Sequence, residues 1–247
     1  MKLLLSFSFN KGYRYAHGFL QSVKKHLNIP YVGLALGDWG DEDHPDGMLA
    51  LPEPGEMFGR PIVQHGKFLR TLYDAGDIED GTIVMFVDTD AIFQRAFTGE
   101  EINYLEHVGT NNYLVGPNRI HDRPELWGDE APRILPTAAY QKEYRGQFDQ
   151  VPVFNTGFLA MRAGVYQSVY HRVLGMVESH GHWFQHHAAT QLFLCAAMHD
   201  LGLRHLPVPL DMAAHGHCGT PPGVTVKDNK AFHEGRLIAY AHMLCGL

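Results

Sequence analysis

Thr82-Ile83-Val84-Met85-Phe86-Val87-Asp88-Thr89-Asp90-Ala91-Ile92-Phe93 is the stretch that decides how this chain reads. Its first six residues are apolar or β-branched without a break, the pattern of a central strand covered on both faces. The turn residues Asp80-Gly81 mark where it begins. The strand then runs straight into two carboxylates. In extended backbone, residues two apart point to the same side, so Asp88 and Asp90 offer oxygens to one ion while Thr89 points away. Carboxylate oxygens suit hard cations such as magnesium and manganese, which commonly also coordinate substrate phosphates. D-x-D by itself also caps strands that bind nothing, so its weight comes from context. Here a buried strand leads in and Ala91-Ile92-Phe93 returns to apolar surroundings, where two ionised carboxylates repel and lose hydration unless a cation compensates them.

Outward from this strand the chain alternates. Residues 3 to 9 read as a strand, Tyr13 to His26 as a helix with Tyr15, Phe19, Leu20 and Val23 near helical spacing, and Tyr31 to Leu36 as a second strand. Ile62 to Ala75 is expected to be a helix closed by Gly76. Downstream come a strand at Leu114-Val115, an apolar stretch from Phe154 to Met161, helices over Val165 to Ser179 and His187 to His199, and short strands at Leu203 to Val208 and Leu237 to Tyr240. The long segment 117–150 has weak periodicity, and a loop of that length inside a compact domain is usually functional. With no repeat or linker to divide it, residues 1–247 are expected to form one α/β domain with a mainly parallel, mixed sheet flanked by helices. Ligands in such sheets bind beyond the carboxyl ends of the strands, where Asp88 and Asp90 lie.

Composition narrows the function. With 45% apolar residues the chain builds an ordinary core, and a formal charge of -7 gives no basic face for a phosphate backbone, so nucleic acid is not expected as a partner. The short apolar start, Leu3-Leu4-Leu5, passes into Asn10-Lys11-Gly12 without a cleavage-like site, and no stretch approaches the roughly 20 apolar residues of a membrane span. Cys195, Cys218 and Cys245 form no C-x-x-C pair, which suits a reduced, cytoplasmic setting. The acidic loop from Gly37 to Gly47 does not follow an EF-hand, since Pro45 and Pro52 occupy ligand positions counted from Asp41. Of the 17 histidines, His182, His186 and His187 cluster in sequence and read as surface or acceptor-side groups.

Val84-Met85-Phe86-Val87-Asp88-Thr89-Asp90-Ala91-Ile92-Phe93 resembles the D-x-D segment of GT-A fold glycosyltransferases, in particular the glycogenin and bacterial lipooligosaccharide galactosyltransferase group. Phe19-Leu20-Gln21-Ser22-Val23-Lys24-Lys25 is similar to the first helix of that group, Phe154-Asn155-Thr156-Gly157-Phe158-Leu159-Ala160-Met161 to its N-(S/A)-G strand, and Ile238-Ala239-Tyr240-Ala241-His242 to its late strand ending in a metal-binding His. The resemblance implies a nucleotide-sugar donor, UDP before other nucleotides, and a carbohydrate or other hydroxyl acceptor. Asp88, Asp90 and His242 are then ligands of Mn2+ or Mg2+, with the nitrogen ligand favouring manganese. Asn155 and Gln191 face the donor sugar, Gln191 beside the anomeric carbon if the reaction retains configuration. Phe7, Ser8 and Thr89, with Asp88 and Asp90, belong to the nucleotide-binding set, as does Lys67, which with Arg70 either reaches a phosphate or covers a solvated helix face. Trp127 and Trp183 either stack on an acceptor or pack in the core.

Two departures stand out. Thr190-Gln191 occupies the place of the group's Asp-Gln, and the Gly-x-x-Lys-Pro-Trp type ending after the metal-binding His is absent. An inverting reaction would need a carboxylate base, for which Asp122, Asp129 and Asp211 are the candidates. Two rivals follow: a non-catalytic nucleotide-sugar-binding protein on the same fold, and a haloacid-dehalogenase-type phosphohydrolase. The latter carries D-x-D in its first strand followed by Gly-Thr, not near residue 90 followed by Ala91-Ile92-Phe93.

Overall fold

The computed structural model describes residues 3–10, 15–36, 49–51, 61–108, 113–116, 156–180, 187–216 and 220–242. The segments 37–47 and 117–150, together with Asn155, Trp127, Trp183, His182, His186, Asp122 and Asp129, lie outside them.

The opening is β1 (Leu3–Asn10), α1 (Ala16–His26) and β2 (Tyr31–Leu36), with β1 and β2 parallel and Leu5 opposite Tyr31. In α1 the buried residues Ala16, Phe19, Leu20 and Val23 recur at helical spacing and form its core face. The helix starts later than the apolar pattern suggested. Tyr15 is its N-cap, makes no side-chain cap hydrogen bond, and is 43% exposed.

After β3 (Leu49–Leu51) comes α2 (Pro61–Asp74), whose proline sits at the start, where a missing N–H costs nothing. Its end is a Schellman motif: Asp77 N–H donates to Leu72 O, Gly76 N–H donates to Tyr73 O, and Gly76 takes φ 79°. Next are β4 (Ile83–Val87), β5 (Ala91–Phe93) and α3 (Gly99–Val108). Helix α3 is not among the elements expected from the sequence, although Thr98 and Glu101 make a reciprocal capping box at its start, at 3.2 and 2.8 Å. The chain continues through β6 (Tyr113–Gly116), β7 (Phe158–Arg162), α4 (Ala163–His180), α5 (His187–Asp200) and β8 (Arg204–Pro207).

Among the described residues, seven strands form one sheet in the order β3-β2-β1-β4-β7-β6-β8. All neighbouring pairs are parallel except those made by β7, which runs against both β4 and β6. Along β4, side chains alternate between two cores. Val84 packs with Leu69, Tyr166, Val169 and Phe193 of α2, α4 and α5, whereas Ile83, Met85 and Val87 pack with Phe19 and Val23 of α1 and Leu105 of α3. This double burial is why the strand reads as one unbroken apolar run.

The last third builds two small sheets beyond the end of β4. In one, β5 pairs antiparallel with β13 (Tyr240–His242), which pairs parallel with β9 (Ala213–His215). The other is β10 (Val224–Lys227), β11 (Lys230–His233) and β12 (Arg236–Leu237). Asp228 and Asn229, with φ of 50° and 57°, form the two-residue β10–β11 loop, the backbone a tight hairpin needs. The expected strand from Leu237 to Tyr240 is broken, because the chain changes sheets there. Ile238 N–H donates to Ala231 O on the hairpin side, and Ala239 N–H donates to Asp211 O on the β9 side.

Candidate metal centre

Asp88 follows β4 directly, and its N–H donates to Gly157 O at 2.9 Å, just before β7. From there the small sheet takes over. Ala91, next to Asp90, is in register with His242, and His242 is in register with His215 on its other side. The strand pairing alone therefore carries a histidine from the end of the described chain to the D-x-D turn. Tyr240 fixes the junction: its buried hydroxyl lies 3.0 Å from Asp88 O and 2.9 Å from Gly157 O, so one phenol ties β13 to both strands. Arg95 secures the outer side, donating to both Glu101 carboxylate oxygens and to the carbonyls of Leu237 and Asp211.

The D-x-D turn has the alternation its sequence implied. Thr89 is buried, with its hydroxyl 3.4 Å from Ser8 O, while Asp88 is exposed and Asp90 partly so. His242 Nε2 lies 2.7 Å from Asp90 Oδ1 and 3.6 Å from Asp88 Oδ2, and one donor atom from each of the three residues falls within 4.8 Å of the others. Nε2 has hydrogen-bond distance to Asp90 without hydrogen-bond direction, and among the described residues it is a buried nitrogen with no proper partner. A nitrogen lone pair converging with two carboxylates fits a divalent cation.

The electrostatics agree. Desolvation pushes the Asp88 carboxyl above its ordinary range, the Asp90 charge adds to the push, and His242 opposes it. Half of the Asp88 side-chain surface is still accessible, so solvent screens part of that push. Burial also pushes Asp90 upward, but contact with His242, its charge and that of His215 prevail and hold this carboxyl low.

Gly157 is the residue whose role the sequence reading did not assign. A Cβ there would stand 2.6 Å from Asp88 Oδ2 and from His242 Cε1, and 2.7 Å from His242 Nδ1. Glycine is the residue that lets β7 begin against both side chains. Tyr240 and His215 were also unassigned. The tripeptides Ala213-Ala214-His215 and Tyr240-Ala241-His242, each a small residue followed by His, were the available signal for paired strands delivering two imidazoles to one place.

The remaining expected site residues are placed as follows. Phe7 is fully buried against Phe19 and Tyr31, and Ser8, 9% exposed, has a hydroxyl that finds no hydrogen-bond partner among the described residues. Lys67 is exposed on α2. Arg70 is held to Asp74 at 2.8 Å and lies 3.4 Å from His171, which favours the helix-face reading for that arginine. Gln191 lies on α5, though its side chain, like Asn155, is outside the described residues. Asp211 is engaged by His233 at 2.6 Å and Arg236 at 3.4 Å. Among the described residues, no helix is long and apolar enough to cross a membrane.

No protein-family model matches the chain, and no curated protein does. Among solved structures it is similar to an active-site mutant of LgtC, a glycosyltransferase, at 13% identity and a TM-score of 0.57, over 99% of this chain and 88% of that one. Together with the mixed sheet and its flanking helices, this likeness makes the fold GT-A-like.

Proposed function

We propose that the protein is a metal-dependent glycosyltransferase that moves a sugar from a nucleoside-diphosphate sugar, a UDP-sugar by preference, to a hydroxyl acceptor, with residues 1–247 working as one cytoplasmic unit. The observation that carries this reading is the convergence of Asp88, Asp90 and His242 at the carboxyl end of β4 in a GT-A-like fold.

Glycosyl transfer breaks the bond between an anomeric carbon and a phosphate, and negative charge grows on the departing diphosphate. A bound divalent ion supplies Lewis-acid stabilisation of that charge. Asp88, Asp90 and His242 would hold the ion, and the nitrogen ligand favours Mn2+ over Mg2+. The nucleotide is assigned to the ends of β1 and β4, around Phe7, Ser8 and Thr89, and Lys67 is the base assigned to the phosphates. Asn155 and Gln191 are assigned to the donor sugar. Gln191 stabilises positive charge at the anomeric carbon in a retaining reaction.

The test is turnover of a panel of nucleotide sugars, with and without Mn2+, by wild type and Asp90→Asn. Release of nucleoside diphosphate that needs both the metal and Asp90 is expected, and the anomeric configuration of the product then assigns retention or inversion. Metal-dependent donor binding without any release of sugar would instead identify a binding protein.

A further inference from the structure

His215 is half-buried and takes no part in the ligand set described above, yet it stands directly against it. Strands β9 and β13 run parallel with His215 and His242 in register, which sends both side chains to the same face. Their ring centroids are 4.3 Å apart and their Nδ1 atoms 2.7 Å apart. Two imidazole nitrogens at that separation share one hydrogen: one donates and the other accepts.

The position of His242 decides which. Its Nε2 faces the Asp88 and Asp90 oxygens, so a cation held there takes the Nε2 lone pair. A neutral imidazole that gives up Nε2 carries its hydrogen on Nδ1, and the atom facing Nδ1 is His215 Nδ1. Metal-binding histidines are usually oriented through the second ring nitrogen, by a carbonyl or a carboxylate. An imidazole fills that place here, brought in by strand register.

We propose that His215 is a positioning residue for the metal centre: its Nδ1 accepts a hydrogen bond from His242 Nδ1–H, which holds His242 in the tautomer and ring orientation that present Nε2 to the cation. The proposal rests on the reading of Asp88, Asp90 and His242 as ligands. It adds that the site is incomplete without an acceptor at the position of His215 Nδ1.

The experiment is a Mn2+ titration of the full chain by electron paramagnetic resonance, comparing wild type, His242→Ala, His215→Asn and His215→Gln. An asparagine carries its amide at the distance of Nδ1 and a glutamine at that of Nε2, so both variants are polar and only the first replaces the acceptor in place. His215→Asn is expected to keep wild-type affinity, and His215→Gln to raise the Mn2+ Kd roughly 10- to 100-fold, the usual effect of losing such a partner. Equal affinity in His215→Gln and wild type, with binding lost in His242→Ala, would overturn the role of His215 and leave the ligand set standing. Equal weakening in both His215 variants would also overturn it, by showing a packing role. Wild type that binds no Mn2+, or His242→Ala that binds it as well as wild type, would remove the ligand set itself.

Discussion

Asp88 and Asp90 share a turn and a candidate cation site, yet their environments push them in opposite directions. Desolvation raises the Asp88 carboxyl, so the folded protein holds that proton more tightly than the unfolded chain does. Its ionised form is a cost to the metal-free fold, absent well below the ordinary carboxylate range and growing as pH rises through the raised value. Asp90 has the opposite sign: with its carboxyl held low, chiefly by His242 against the pull of burial, its contribution is present above the ordinary range and is lost as pH falls through the lowered value. Asp88→Asn is therefore expected to melt above wild type at neutral pH in the absence of metal, with the gain fading in acid, while losing Mn2+ binding. Because half of the Asp88 side chain is solvent-accessible, screening limits the gain to about 1 kcal/mol or less. Asp90→Asn is expected to lower the neutral-pH melting point. Melting curves of the two metal-free variants across pH decide it, and shifts of the same sign would refute the assignment of opposite environments.

At the scale of elements, two glycines set how closely strands and helices approach. Gly157→Ala is expected to leave the fold intact and weaken Mn2+ binding by at least about tenfold, because the added carbon would collide with Asp88 Oδ2 and the His242 ring and ligand geometry tolerates little displacement. A Mn2+ titration checks this. Gly66 on α2 lies beneath the Tyr170 ring of α4, where a Cβ would come within 2.1 Å of a ring carbon. Gly66→Ala is thus expected to cost roughly 1–3 kcal/mol by overpacking, measured by denaturant unfolding, despite alanine's better helix propensity. These contacts were not legible in the sequence, since Gly66 looks like a weakness in a helix until Tyr170 is seen across it. The buried β4 strand, the α1 face and the Gly76 stop were legible, because continuous burial, helical spacing and a left-handed cap each leave a local mark. Strands β5, β9, β12 and β13 are two or three residues long and leave almost none. Their existence depends on pairing across long sequence separations, so His242 was expected as a ligand only through resemblance, while the register that brings it to the turn, and His215 with it, is visible only in the fold.

Across the whole molecule, the site exists only when distant parts of the chain are assembled. Tyr240 reaches Asp88 across 152 residues, and the D-x-D turn, the Gly157 approach and the β9–β13 pair belong to separate stretches joined by the two cores and the small sheet. An unfolded chain offers scattered carboxylates and histidines with weak affinity for a cation, so binding is linked to global unfolding, not to local order alone. A ligand that binds only the folded state stabilises it by about 2.7 kcal/mol at one hundred times its Kd. For a chain of this length that corresponds to a rise of roughly 5–10 °C in melting temperature. Mn2+ at that excess is expected to raise the melting point of wild type by this amount, chelation to reverse it, and UDP to add a further rise only when Mn2+ is present, because the diphosphate needs the ion to offset the carboxylates it faces. In His242→Ala both rises should disappear. A rise with UDP that is independent of Mn2+ would mean that the nucleotide is held by groups other than this centre, and the metal would lose its place in donor binding.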